Sequence, residues 1–216
     1  VLSLYRAGAL KLLLDQLEMH KADIVALQEI RWVGNNVLEK KDWTIFYSCH
    51  EKRHAFGVGF AVRKRVKHLI MGFRAITPRI ASLRLRGRFF NYSLLCVHAP
   101  TEVTDDDEKD IFYEDLEKAY DDCPSNDIKM VLGDLNAQVG KEEFYRPIIG
   151  RHSLHDTTNE NGSRLIQFAA ARSMVISSTM FDHKNIHKGT WTSPDGSVCN
   201  QIDHFLIDAR HASDVL

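Results

Sequence analysis

Four polar clusters interrupt or end apolar runs: Gln28-Glu29 after "DIVAL", His98 in "CVHAP", Asp134 and Asn136 after "KMVL", and Asp203-His204 inside "NQIDHFLID". Each has a bland reading when taken alone. A glutamate at a strand end is usually just exposed, a single histidine is commonly a hydrogen-bonded structural residue, and Gly-Asp-x-Asn reads as an Asx turn. Asp203 is the least bland, because a carboxylate inside an apolar strand is costly unless it has a specific partner. Taken together, the four would gather carboxylates, amides and imidazole at one sheet edge, where ligand sites in layered folds form. Carboxylate oxygens with few thiols are donors that Mg²⁺ prefers. A hard cation, amides to hold a phosphate oxygen and an acid to position water are the parts of a phosphodiester hydrolase.

The elements that must position these residues follow from periodicity. Leu10, Leu13, Leu14 and Leu17 recur at helical spacing and predict a helix over 7–21. "DIVALQE", "WTIFYSC", "GVGFAVR", "ASLRLRG" and "FFNYSLLCVHAP" read as strands bounded by Gly, Pro or charge, and the alternation in "ASLRLRG" suits a half-exposed strand. An acidic helix follows in "TDDDEKDIFYEDLEKAYDDC", with Thr104 as its cap and Ile111, Phe112, Leu116 and Ala119 as its apolar face. The acid run itself reads as a solvated face. "IKMVLGD" is a strand, and "NGSRLIQFAAARS" is a helix with Leu165, Ile166, Phe168 and Ala169 inward. "MVISS", "GTWTSP" and "NQIDHFLID" close the chain as strands, and a long polar loop fills 140–160. Consecutive strands with interspersed helices suit two packed sheets with helices outside, rather than the pure alternation of a doubly wound sheet.

Composition narrows the class further. A chain of 216 residues suits one domain over 1–216 with a sizeable core. A formal net charge of −1 gives no support to a strongly basic nucleic-acid binder, although local clusters at 63–68 ("RKRVKH") and 84–88 ("RLRGR") could still meet phosphates. A solvated hairpin rim is the competing reading of both. No apolar run approaches the roughly 18 residues of a membrane span, and the opening stretch reads as an amphipathic helix rather than a signal peptide. The four cysteines lack CxxC spacing, which argues against a zinc cluster or disulfide framework and for a reducing compartment, nucleus or cytosol. Cys96 reads as a buried small hydrophobe.

"ALQEIRW", "VHAP", "VLGDLNAQVG", "NGSRLIQFA" and "GTWTSPDGSVCNQIDHFLID" occur in that order. Together they resemble the endonuclease/exonuclease/phosphatase superfamily, and within it the endonuclease domains of RTE-type non-LTR retrotransposons and their domesticated relatives. The resemblance implies a four-layer α/β/β/α sandwich of two mixed sheets, DNase I-like, and a Mg²⁺- or Mn²⁺-dependent DNA-nicking endonuclease. By resemblance, Glu29 and Asp134 hold the metal. Asp134 also orients or deprotonates the attacking water, or protonates the leaving oxygen. Asn136 contacts the scissile phosphate, and Asp203 pairs with a catalytic histidine. His98 stands where AP endonucleases carry a tyrosine and can hydrogen-bond phosphate. Asn159 or Asn161 contacts the substrate strand, and Thr190 and Trp191 match a threonine–tryptophan pair on the binding face.

Two departures accompany the likeness. The family's opening strand, with its metal-binding Asn, would precede "VLSLYRAG", and its terminal Ser-Asp-His would follow Leu216, so the domain is expected to be incomplete at both ends. Ser213-Asp214 is followed by Val215 and does not match that motif. His204 follows Asp203 directly and, on a strand, faces the opposite side. The expected partner is DNA, with no membrane, a monomeric state, and fusion to a reverse transcriptase in the parent protein. The alternatives are a domesticated or decayed domain that binds DNA or protein without catalysis, and a superfamily phosphatase or RNA exonuclease.

Overall fold

The computed structural model describes residues 3–215. Its contacts cluster into two compact units. One runs through His98 and adds Lys118–Asp127, and the other comprises Ala99–Glu117 and the chain from Ile128 onward.

The first unit holds α1 (Ala9–Met19), β1 (Ile24–Leu27), β2 (Asn35–Glu39), β3 (Trp43–Ser48), β4 (Val58–Arg63), β5 (Ile70–Thr77), β6 (Ile80–Leu85) and β7 (Tyr92–His98). An antiparallel sheet has the order β1-β4-β3-β2, and β5, β6 and β7 form an antiparallel meander. β3 and β4 are buried almost throughout because both faces of their sheet are covered. On one face, Trp43, Ile45 and Ala61 pack in a cluster with Leu17, against which the α1 leucines 10, 13 and 14 lie. On the other, the Phe46 ring lies 5.4 Å from that of Phe73 on β5, and Ser48 Oγ donates to Thr77 O at 2.7 Å. β6 alternates as its sequence predicts, with Leu83 and Leu85 inward and Ser82 and Arg84 less buried.

The basic segments belong to this unit: 84–88 is the end of β6 and the turn after it, whereas 63–68 leaves β4 for a helical turn. Lys64–Leu69 is a 3₁₀ helix. Arg65 pairs with Asp23 at 2.6 Å and Lys67 pairs with Glu39. Arg84 pairs with the buried Asp127 at 2.8 Å, which also accepts from Ser93 Oγ at 2.7 Å. Arg65, Lys67 and Arg84 are thus ion-paired within the unit. Two strands of this unit were not read from sequence. β2 is an edge strand with mostly exposed residues, and β5 follows directly on the 3₁₀ helix.

The second unit holds most of α2 (Asp106–Asp121), then β8 (Ile128–Asp134), α3 (Glu160–Ala171), β9 (Met174–Ile176), β10 (Trp191–Thr192), β11 (Cys199–Asn200) and β12 (Asp203–Asp208). β12 pairs antiparallel with β8 on one side and β9 on the other, and β10 and β11 form a two-stranded ribbon. α3 buries Leu165, Ile166, Phe168 and Ala169, the face its 3.6-residue period predicts. α2 departs from expectation twice. Asp105, not Thr104, supplies the capping oxygen, accepting from Glu108 N at 2.9 Å. Ile111 is 59 % exposed, so the apolar face begins at Phe112. The acidic face is tied to α3 through Arg164, which pairs with Asp110, with Asp106 at 3.2 Å and with Glu160 at 3.5 Å. The loop over 140–160 is laced to itself: Glu142 accepts from Thr158 N and Oγ1 at 2.6 and 2.8 Å, and Lys141 pairs with Asp156 at 2.7 Å.

Candidate active site

β8 ends where its apolar run meets Gly133, whose φ of 144° suits glycine. Beyond it, alternation decides which side chains face the core. Leu135 and Ala137 are fully buried, while Asp134 and Asn136 are less so. Asn136 has a φ of 46°, and its N–H donates to Asp134 Oδ1 at 3.1 Å, an Asx-type turn. The turn is pinned twice to the segment before α2: Ala99 N donates to Asp134 O at 2.8 Å, and Asn136 Nδ2 donates to Ala99 O at 2.9 Å. The antiparallel register puts Asp203 directly opposite Asp134, on the same face of the paired strands. Burial raises the Asp203 carboxyl above its ordinary range, and a hydrogen bond with the Thr190 hydroxyl opposes that rise. Thr190 Oγ1 also accepts from Ile202 N at 3.1 Å and Asp203 N at 3.2 Å, so it locks the start of β12.

His204, one residue on, faces the interior. Nε2 contacts Ala137 O and Nδ1 contacts Ser178 Oγ, each at 2.8 Å. Burial holds its pKa down at about 4. Both ring nitrogens are engaged, as the opposite-face argument requires, and His204 is structural.

Asn159 and Asn161 differ from the substrate-contact expectation, because the protein uses both amides internally. Asn159 caps α3, accepting from Gly162 N at 2.8 Å and from Gln138 N at 3.0 Å. Asn161 is 2 % exposed and donates to Asn136 O at 2.9 Å and Pro100 O at 3.1 Å. It therefore braces the Asn136 turn. Glu102, unnoticed in the sequence, lies at the N-terminus of α3, where its carboxylate accepts from Asn159 Nδ2 at 2.8 Å, Asn161 N at 3.1 Å and Glu160 N at 3.2 Å. A negative charge is favoured there. Its only sequence signal was an acid shortly before a helix start. Trp191 is 43 % exposed, so it is not core. With Asn136, Gln138, Asn159 and Asn200 it lines a groove of about 320 Å³.

In the first unit, β1 ends at Leu27, and the chain then passes through Glu29 and Arg31 with φ of 56° and 57°. Ile30 between them is fully buried. Its N–H donates to Gly57 O at 3.0 Å, and Arg31 N donates to Phe56 O at 2.7 Å. The Arg31 guanidinium reaches both Glu29 oxygens, at 3.1 and 3.2 Å. His98 is buried at the end of β7. Its N–H donates to Arg79 O at 2.9 Å, its carbonyl accepts from Arg79 Nη1 at 3.1 Å, and its ring meets that of Phe56 edge-on. Burial first, and Arg79 second, hold its pKa down at about 4, while Glu29 pulls it upward. His98 is therefore neutral near pH 7 and offers an N–H or a lone pair rather than a charge.

Among the described residues, no three His, Cys, Asp or Glu side chains are grouped so as to hold a metal by themselves. Mg²⁺ does not need such a cage, since it is commonly bound through one or two carboxylates and keeps several waters. Glu29 fits that demand, because the guanidinium across both its oxygens shows that the carboxylate presents itself to a cation. Asp134 supplies carboxylate oxygens in the second unit.

The sequence matches the Endonuclease/Exonuclease/phosphatase family over residues 2–215. It is 35% identical over 208 residues to craniofacial development protein 2 of Bos taurus, covering 96% of this chain and 35% of that protein. The same protein of Tragulus javanicus is 35% identical over 208 residues, with 96% of this chain and 36% of that protein covered. The chain thus spans about a third of the length of these curated relatives. Among solved structures, the endonuclease domain of TRAS1, a telomere-specific non-LTR retrotransposon, superposes with a TM-score of 0.64 at 15% identity, covering 98% of this chain and 84% of that one. An AP endonuclease from Leishmania major superposes with a TM-score of 0.60 at 13% identity, covering 92% and 73%. The fold is thereby the mixed α/β, DNase I-like fold with two main sheets that the motif order implied. The chain belongs to the endonuclease/exonuclease/phosphatase family, whose members are metal-dependent phosphodiesterases.

Proposed function

We propose that the chain is a Mg²⁺-dependent phosphodiester hydrolase that nicks DNA, of retrotransposon origin. The observation that carries this reading is the end of β8: Asp134 directly opposite Asp203, with the Asn136 amide fixed two residues on. Water would attack phosphorus in line, and the leaving oxygen would depart as a 3′-hydroxyl. Asp134 would orient or deprotonate that water, or protonate the leaving oxygen, and its bond from Asn136 N keeps the carboxylate in one orientation for the task. Asn136 spends one amide hydrogen on Ala99 O and has a second to donate to a phosphate oxygen. His98, neutral, would donate an N–H to phosphate. Asp203 would orient a histidine of the Ser-Asp-His type, a tripeptide that the 216 residues do not contain. Thr190 would hold Asp203, and Trp191 would face the DNA. Glu29 in the first unit and Asp134 in the second are the carboxylates that would serve Mg²⁺ (or Mn²⁺), which when bound would supply charge neutralisation at the phosphate.

The test is conversion of supercoiled plasmid to nicked circles by the chain, alone and within its parent protein, with Mg²⁺ and with EDTA. Metal-dependent nicking supports the reading. DNA binding without cleavage would identify the non-catalytic alternative. Release of inorganic phosphate from small phosphoesters without nicking would identify a phosphatase.

A further inference from the structure

The Glu29–Arg31 pair has an unusual backbone. Both residues are non-glycine with left-handed φ, 56° and 57°, a conformation L side chains rarely adopt. The facing segment is equally constrained, with Phe56 at 59° and Gly57 at 103°, and Gly57 N donates to Pro78 O at 3.0 Å. Backbone in such regions persists only where its surroundings over-determine it, and it clusters at functional sites. Here the buried Ile30 and two hydrogen bonds to residues 56 and 57 hold the segment. The outcome is a carboxylate and a guanidinium two residues apart, facing each other at 3.1 to 3.2 Å.

The pair is open to solvent, with side-chain exposures of 42% for Arg31 and 29% for Glu29, so it is weak. Among the described residues Arg31 is ion-paired to no other carboxylate. Arg79, the neighbouring cation, is committed to His98 O and lies over the Phe56 ring at 4.0 Å. Arg31 is thus the guanidinium here that can let go.

We propose that Arg31 is a built-in counter-cation: it occupies the Glu29 carboxylate, and a divalent cation binding there frees its guanidinium for a phosphate of the nucleic-acid backbone. This rests on the reading of Glu29 as a metal ligand. Arg31 is a positioning residue in this role, and it makes phosphate binding follow metal binding.

The experiment measures Mn²⁺ binding by calorimetry, and duplex-DNA affinity against salt in EDTA and in Ca²⁺, for wild type, Arg31→Gln, Arg31→Lys and Glu29→Gln. Removing a competing exposed ion pair should tighten Mn²⁺ binding of Arg31→Gln about 1.5- to 5-fold. Arg31→Lys should fall between, since an ammonium cannot bridge two oxygens as the guanidinium does. In wild type, Ca²⁺ should steepen the log–log salt dependence by about 0.9, one phosphate contact, and Arg31→Gln should lose that increment. Unchanged or weaker Mn²⁺ affinity in Arg31→Gln, or an increment that survives the substitution, overturns the proposal. Glu29→Gln separates the two layers. If it abolishes Mn²⁺ binding while Arg31→Gln changes nothing, only the role of Arg31 falls. If it binds Mn²⁺ like wild type, the reading of Glu29 falls and takes the proposal with it.

Discussion

The end of β1 and the end of β8 both present a carboxylate beyond an apolar strand, yet they hold it by different means. Glu29 is held by charge, through Arg31, on a backbone of two left-handed residues. Asp134 is held by neutral hydrogen bonds, from Asn136 N to its side chain and from Ala99 N to its carbonyl, and it faces a second carboxylate across the strands. A salt-bridged carboxylate is poised to exchange one cation for another. A carboxylate oriented by backbone amides presents its oxygens to a proton, a water or a metal. On the proposed reading, the contrast would separate a cation-holding residue from a water-handling one.

The comparison is broken most severely at Asp134. Asp134→Ala should lower plasmid nicking by about 10³-fold, the scale of a lost general acid–base group. Its melting temperature should fall by only about 2 to 4 °C, the scale of one lost turn hydrogen bond from Asn136 N. A loss of activity that merely tracks a loss of folding would reassign Asp134 to structure.

The next effect is on stability against pH. His98 and His204 titrate near 4 in the fold but near the ordinary 6.5 when unfolded. The unfolded chain therefore binds protons first, so their stabilisation is complete above about 6.5 and is lost as pH falls toward 4. Each should contribute a loss on the order of 3 kcal/mol across that window. Asp203, raised by burial, works in the opposite sense: it favours the fold in acid and loses that contribution as pH rises through its folded value. Denaturant unfolding at pH 5 and 7.5 should show a smaller pH difference for His204→Gln than for wild type. An equal difference would contradict a neutral buried His204.

Asn161→Ala should cost roughly 2 to 3 kcal/mol, since it leaves the carbonyls of Asn136 and Pro100 without their amide partner. That corresponds to a melting temperature lower by about 5 to 10 °C. Nicking should fall with it, because the turn carrying Asn136 loses its brace. Preserved stability would return Asn161 to the substrate surface.

The smallest effect belongs to the basic segment. Arg65→Ala and Lys67→Ala each remove an exposed ion pair, and should change stability by less than about 0.5 kcal/mol. DNA affinity should not change. A marked loss of binding would restore 63–68 as a phosphate contact.

Elements with strong periodicity were legible in the sequence. The α1 leucines, the inward face of α3 and the apolar runs of β3, β4, β7 and β8 announced themselves because burial on one or both faces leaves a pattern. β2 was not legible, since an edge strand with exposed residues carries no such pattern. The Asp105 cap lay one residue from the expected Thr104, a choice that loop geometry makes and type preference does not. At the candidate site, Asp134, Asn136 and Asp203 were legible as polar residues where strands surface. The roles of Asn159 and Asn161 were not, because an amide that binds a substrate and an amide that braces a turn look alike until their partners are known. Glu102 and Arg31 were hidden for the same reason: exposed charges acquire meaning from what they touch.

The most direct measurement is Mg²⁺-dependent plasmid nicking by wild type and Asp134→Ala, read beside DNA affinity in Ca²⁺. The predicted result is cleavage that EDTA abolishes, lost in Asp134→Ala while affinity is retained. Nicking by Asp134→Ala at the wild-type rate, or no metal-dependent nicking by wild type alone or within its parent protein, would contradict a phosphate-handling centre at the end of β8.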